Sequence, residues 1–163
     1  MSKISIVDEN DHIIGAEEFE KAKKDGIYRV AALWITNSHG ENLLALRHRN
    51  KIHDPLKWGP AVSGTVEEGE SYEQNIIKEA EEELGLENIL PKLGPKIKIE
   101  DKYNYFVQWF TLTTDEAISE FKIQKDEVEE IKWFTKEELL SKLESHPENF
   151  TPGMRKYGKL FLN

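Results

Sequence analysis

The stretch GTVEEGESYEQNIIKEAEEELGL, residues 64–86, decides how the rest of the chain is read. Its second half is the clearest helix in the sequence, Tyr72 to Leu84. Ser71 and Gln74 have capping-box spacing, in which each side chain accepts from the other's backbone N–H. Gly85 stands where a left-handed residue ends a helix. Ile76, Ala80 and Leu84, with Ile77 beside them, form one apolar stripe. Glu79, Glu82 and Glu83 are spaced i, i+3, i+4 and share another face. Like charges at this spacing cost roughly 0.2–0.5 kcal/mol per pair, so a Glu-rich helix taken alone reads as a solvated acidic surface. Three carboxylates on one rigid face also offer what a hard divalent cation requires, several oxygens held close together.

The residues ahead of the helix separate these readings. Gly64 is followed after five residues by Glu70. Seven more lead to Lys78-Glu79, then Ala80, Glu82-Glu83 and Gly85-Leu86. This order resembles the Nudix box, G-x5-E-x7-R-E-U-x-E-E-x-G-U with U aliphatic. Every fixed position matches except Lys78, where the pattern has Arg. The resemblance implies an α/β (α+β) fold, the Nudix α/β/α sandwich with a mixed β-sheet. It implies a Mg²⁺-dependent hydrolase, with Mn²⁺ as a substitute, that cleaves a diphosphate linkage in a small nucleoside-diphosphate-type molecule. It also implies roles. Glu79, Glu82 and Glu83 become the metal ligands, one of them acting through water as a base, and the Ser63 carbonyl becomes a further ligand. Glu70 orients the metal helix through Lys78. Arg holds a carboxylate with two parallel hydrogen bonds and Lys offers a point charge, so a looser Glu70 contact is expected, without loss of function. Glu127, Glu129 or Glu130 could supply a further ligand or base, set against plain surface charge, and whether any of them does, and which, stays open.

Outward from the box, Ile4–Val7 and His12–Ile14 flank a turn at Asp8–Asp11 and read as a hairpin. Glu17 to Lys24 reads as a helix that Gly26 stops. Tyr28 to Thr36 is a β-branched and aromatic strand, returned through the turn Asn37–Gly40 by the strand Leu43–Leu46. Asp54-Pro55 and Trp58–Pro60 read as loop. Pro91, Gly94 and Pro95 break the chain before a long strand at 103–113. Glu130–Phe134 is a strand, and Thr135 starts a helix reaching about Leu143. Lys156–Leu162 forms a last short helix, and Met154–Lys156 reads as a solvated C-terminal segment. No repeat or linker divides residues 1–163, so one domain is expected.

Composition narrows the chemistry. The chain has no cysteine, which excludes disulfides, cysteine-ligated metals and thiol catalysis. A net charge of −9 argues against nucleic-acid backbone binding. No apolar run approaches a membrane span and no segment reads as a signal peptide, so a cytoplasmic location is expected. Oligomeric state is not legible. Arg47 and Arg49, after the return strand, are candidates for phosphate contacts. Trp58 is a candidate substrate contact, as are Tyr105 and Trp109 for stacking, set against plain core packing. Gly64 is taken as a loop glycine at the substrate. His48 and His53 lack zinc spacing, and all five histidines read as surface or turn residues.

Outside the box the chain resembles isopentenyl-diphosphate isomerase and its closest hydrolase relatives. The likeness runs through Val7–Asn10, Trp34–Asn37, Leu43–Arg47, Trp58, Asp126–Val128, Trp133 and Phe150–Pro152. The isomerase carries a cysteine where this chain has Ser63 and histidines where it has Thr65 and Tyr28. Its strand glutamates fall at Tyr103 and Tyr105. A serine hydroxyl does not replace a thiol as a proton carrier. The residues thus favour the hydrolase. An isomerase-like enzyme and a weakly catalytic Nudix-fold binding module are the alternatives.

Overall fold

A computed structural model describes residues 2–162; the outermost residues of the expected 1–163 domain, Met1 and Asn163, lie outside the described residues. The long apolar strand becomes the centre of a mixed sheet. This β3 (Ile27–Thr36) pairs in parallel with β8 (Asn104–Thr113) over its whole length. It pairs antiparallel with β1 (Lys3–Val7), β4 (Asn42–Arg47) and β6 (Val62–Thr65). β2 (Ile13–Glu18) extends the sheet beyond β1, and β7 (Lys92–Glu100) flanks β8. β5 (Trp58–Pro60) and β9 (Val128–Phe134) flank β4.

Alternation along β3 builds two cores. Ala31, Leu33 and Ile35 face α2 (Tyr72–Leu84), which buries Ile76, Ala80 and Leu84 against them. Ala32 and Trp34 face the other way, under Leu139 and Leu143 of α3 (Lys136–Ser145) and Met154 of α4 (Pro152–Tyr157). Helices on both faces of one sheet make the expected α/β/α sandwich. Among the described residues, no helix is long and apolar enough to cross a membrane.

Four local expectations are corrected. Trp58–Pro60 is a strand, because β4 lends it a ladder partner from Leu44 to Leu46. The Pro91–Pro95 break lies at and inside β7: an edge strand tolerates proline, and the register shifts between Leu93 and Lys96. Gln108 steadies that bulge by donating to the carbonyls of Gly94 (2.9 Å) and Pro95 (3.3 Å). The helix expected over Glu17–Lys24 is α1 (Phe19–Asp25), because Glu17 and Glu18 pair with β1. Finally, the segment Met154–Lys156 is solvated only at Arg155 and Lys156. α4 starts at Pro152, capped by Thr151, and Met154 is completely buried.

Candidate active site

The helix of the box is held by both ends and along its length. Ser71 and Gln74 form the capping box, and Gly85 ends the helix at φ 70°. Its first residue, Tyr72, donates its hydroxyl to Asp11 at 2.9 Å, and Asp11 also accepts from Arg29 and from Lys96, each at 2.7 Å. Burial alone would raise the Asp11 carboxyl. The hydrogen bonds from Lys96, Arg29 and Tyr72 outweigh it and hold the group below the usual carboxylate range. The turn of the N-terminal hairpin thereby fixes the start of α2.

Gly64, on β6, faces the middle of α2. A Cβ there would lie 2.5 Å from Glu79 Cγ and 2.9 Å from Asn75 Oδ1. Its missing side chain is what lets strand and helix approach. Lys78 Nζ lies 2.6 Å from Glu70 Oε2, 3.0 Å from Glu67 Oε2 and 4.0 Å from Glu79 Oε1. Burial raises the Glu70 carboxyl, but Lys78, the Glu67 N–H and Asn75 together take it below its ordinary value. Lys78 is correspondingly pushed up by Glu70 and Glu67 against the pull of burial.

Glu79 and Glu83 stand one turn apart on α2, each shifted by the other. Burial first, and then the neighbouring carboxyl, push Glu83 well above the usual range, and burial raises Glu79. Two desolvated like charges in contact are relieved by a shared proton or by a cation. Glu82 is exposed beside them. Among the described residues, no three acidic or histidine side chains already converge as a metal cage. The donors present are all hard carboxylate oxygens, the chemistry that suits Mg²⁺ or Mn²⁺.

These three glutamates open into a cavity of about 1190 Å³. Ser63 and Thr65 of β6 line it, as do Arg47, Lys51 and Glu127. Arg47 donates Nε to the His53 carbonyl at 2.9 Å, and Lys51 is ion-paired with Glu127. Arg49 stands outside this cavity, two-thirds exposed and ion-paired with Glu129. His48 lies 3.5 Å from the same carboxylate. Glu130 is exposed. Trp58 packs edge-on against Phe134 at 5.1 Å and does not line the cavity. His48 and His53 are partly buried rather than plain surface groups.

The far wall of the cavity is rich in aromatic side chains, with Lys23 and Lys102 over the Tyr103 ring. Tyr28 and Tyr105 stack at 5.2 Å, with Tyr103, Val107, Ile99 and Trp109 around them. Burial raises both stacked phenols, so they stay protonated. Ser63, Thr65, Tyr28, Tyr103 and Tyr105, scattered in sequence, all line this one space. Sequence reading passed over Glu67, Asn75 and the Asp11 cluster. Asn75 alone carried a signal, as a poor helix former beside the buried stripe.

A carboxylate-bearing helix thus packs on Gly64 of β6 beside a roomy cavity in an α/β/α fold. The NUDIX domain family model matches residues 27–157, and the chain belongs to the Nudix family as a Nudix hydrolase. It is 32% identical to a prenyl-diphosphate phosphatase of Methanosarcina mazei, over 93% of this chain and 90% of that one. It is 26% identical to an isopentenyl-diphosphate Delta-isomerase of an Enterobacter species, over 93% and 86% of the two chains. The crystal structure of DR0079 from Deinococcus radiodurans shares the fold, with TM-score 0.79 and 22% identity over 94% and 95% of the two chains.

Proposed function

We propose that the protein hydrolyses the diphosphate linkage of a small organic diphosphate with Mg²⁺, or Mn²⁺ in its place. The observation that carries this reading is the opening of Glu79, Glu82 and Glu83 into the same cavity as Arg47 and Lys51. Carboxylates for a cation and cations for phosphate oxygens thus face one space. Mg²⁺ bound there supplies a water of lowered pKa and neutralises charge on the leaving phosphate. Glu79, Glu82 and Glu83 are the side-chain ligands in this reading, with the Ser63 carbonyl beside them. Arg47, its Nε fixed on the His53 carbonyl, orients the phosphates. Glu127 is favoured over Glu129 and Glu130 as an additional base, since it lines the cavity and they do not.

The isomerase alternative is disfavoured by the same wall. Moving a double bond needs a proton donor and an acceptor of suitable pKa on opposite sides of the carbon skeleton. Here Ser63 and Thr65 offer only hydroxyls, and burial keeps the Tyr28 and Tyr105 phenols protonated. The aromatic and aliphatic side chains of that wall and the relative named for prenyl diphosphate make a hydrocarbon-bearing diphosphate the first compound to assay. Nucleoside diphosphates come second. Phosphate release is measured on both with Mg²⁺, Mn²⁺ and EDTA, beside an assay for allylic isomerisation of isopentenyl diphosphate. Metal-dependent phosphate release without isomerisation is expected. Isomerisation above the enzyme-free control, or release unaffected by EDTA, refutes the proposal.

A further inference from the structure

The hold on Glu70 is divided among several partners in this chain. Glu70 Oε2 receives Lys78 Nζ at 2.6 Å. Glu70 Oε1 receives the Glu67 N–H at 2.8 Å and Asn75 Nδ2 at 3.1 Å. The same Asn75 nitrogen donates to the Thr65 carbonyl at 3.1 Å, so one side chain ties Glu70 to the end of β6. Chemistry fixes the amide's orientation: both neighbours of that nitrogen are acceptors, and turning it would set oxygen against oxygen.

Asn75 is completely buried, and its Oδ1 has no partner among the described residues. A buried acceptor left unsatisfied is costly, and Asn is a poor residue within a helix. An alanine or leucine would simply widen the apolar stripe of Ile76 and Ala80. What holds asparagine at this position is the pair of hydrogen bonds from Nδ2.

We propose that Asn75 is a positioning residue that, together with Lys78, replaces the two-pronged guanidinium grip on Glu70 and so sets Glu79 and the end of β6 in register. This rests on the reading of α2 as the metal helix. An arginine at 78 would engage both Glu70 oxygens, as guanidinium forks do. In this chain Oε1 already has two donors, so the second prong is redundant while Asn75 is present. The two residues are therefore coupled, and the effect of arginine at 78 depends on what stands at 75.

The test compares wild type, Asn75→Ala, Lys78→Arg and the double variant. Three quantities are read: kcat and KM on the diphosphate the enzyme turns over, Mn²⁺ affinity by electron paramagnetic resonance without substrate, and the metal-free melting temperature. Asn75→Ala should lose roughly tenfold in kcat and in Mn²⁺ affinity, the scale of lost support behind metal ligands, with KM little changed. Lys78→Arg alone should stay near wild type. The double variant should recover most of both losses. Asn75→Ser gives the same pattern should the alanine variant not fold, since a hydroxyl is too short to bridge Thr65 and Glu70. Full kcat and Mn²⁺ affinity in Asn75→Ala overturn the proposal, as does a double variant no better than Asn75→Ala. A merely structural Asn75 would lower the melting temperature with no recovery by arginine. If wild type binds no Mn²⁺, the metal-helix reading fails by itself. The coupling is then read in the metal-free melting temperatures, where strictly additive shifts overturn it.

Discussion

Gly64→Ala separates the tight strand–helix contact from loop flexibility as the reason for glycine in the box. The added Cβ would sit 2.5 Å from Glu79 Cγ and 2.9 Å from both Glu79 Cδ and Asn75 Oδ1. Carbon atoms pack at about 3.5–4.0 Å, so Glu79 Cγ must retreat by about 1 Å. Cγ lies too near the backbone for the side chain to swing clear, so either its rotamer or α2 itself gives way. Overpacking of this kind costs about 1–3 kcal/mol. Removing a glycine from the unfolded chain returns only about 0.4–1 kcal/mol. The clash wins, and at about 2–4 °C per kcal/mol the melting temperature should fall by several degrees. Activity should suffer more, because a displacement of about 1 Å at a catalytic group costs on the order of 10²-fold. The assay is kcat and thermal melting of Gly64→Ala beside Gly40→Ala. Gly40 sits at φ 76° with nothing within 4 Å of its Cβ position, so that variant carries backbone strain far from Glu79. It should melt lower and keep its kcat. Wild-type kcat in Gly64→Ala, or an equal kcat loss in both variants, would show the reasoning to be wrong.

Three further outcomes follow from the same contacts. Glu83→Gln removes one of two crowded, desolvated carboxyls, so metal-free it should melt at or above wild type. Its kcat should drop by orders of magnitude. Wild type should gain about 2.7 kcal/mol at a hundredfold excess of Mg²⁺ over its dissociation constant, and the variant should lose most of that shift in melting curves with Mg²⁺ and with EDTA. Asp11→Asn keeps a residue tolerant of φ 63° but removes the charge that Arg29 and Lys96 share. It should cost about 1.5–3 kcal/mol near neutrality by denaturant unfolding. The Asp11 carboxyl is lowered in the folded state, so this advantage of wild type is complete above the unfolded value near 4. It should fade as pH falls through the lower folded value; a gap constant down to pH 2 contradicts the ion cluster. Met154→Ala should cost about 2–5 kcal/mol by the same method, as expected for a completely buried side chain and not for a solvated tail.

Much of the molecule was legible because its signals are local. The caps of α2, its apolar stripe and its glutamate face lie within one stretch of chain, and period and spacing are properties of sequence alone. The strands β3, β4, β8 and β9 announced themselves by β-branched and aromatic runs for the same reason. The sequence by itself thus determined the fold class, the family and which carboxylates share a face. Tertiary structure decided everything that depends on a distant partner. β5 and β7 are strands only because β4 and β8 offer free ladder edges, which outweigh proline and glycine. Met154 is core only because α4 folds back onto the second face of the sheet. Asp11, Glu67 and Asn75 look like ordinary polar residues until the hairpin, the box loop and α2 are brought together. Ser63, Thr65, Tyr28, Tyr103 and Tyr105 share one wall only because β3 takes β6 on one side and β8 on the other. Hydrogen-bond ladders and burial act across space, and a residue's chemistry at the site depends on neighbours that spacing along the chain does not encode.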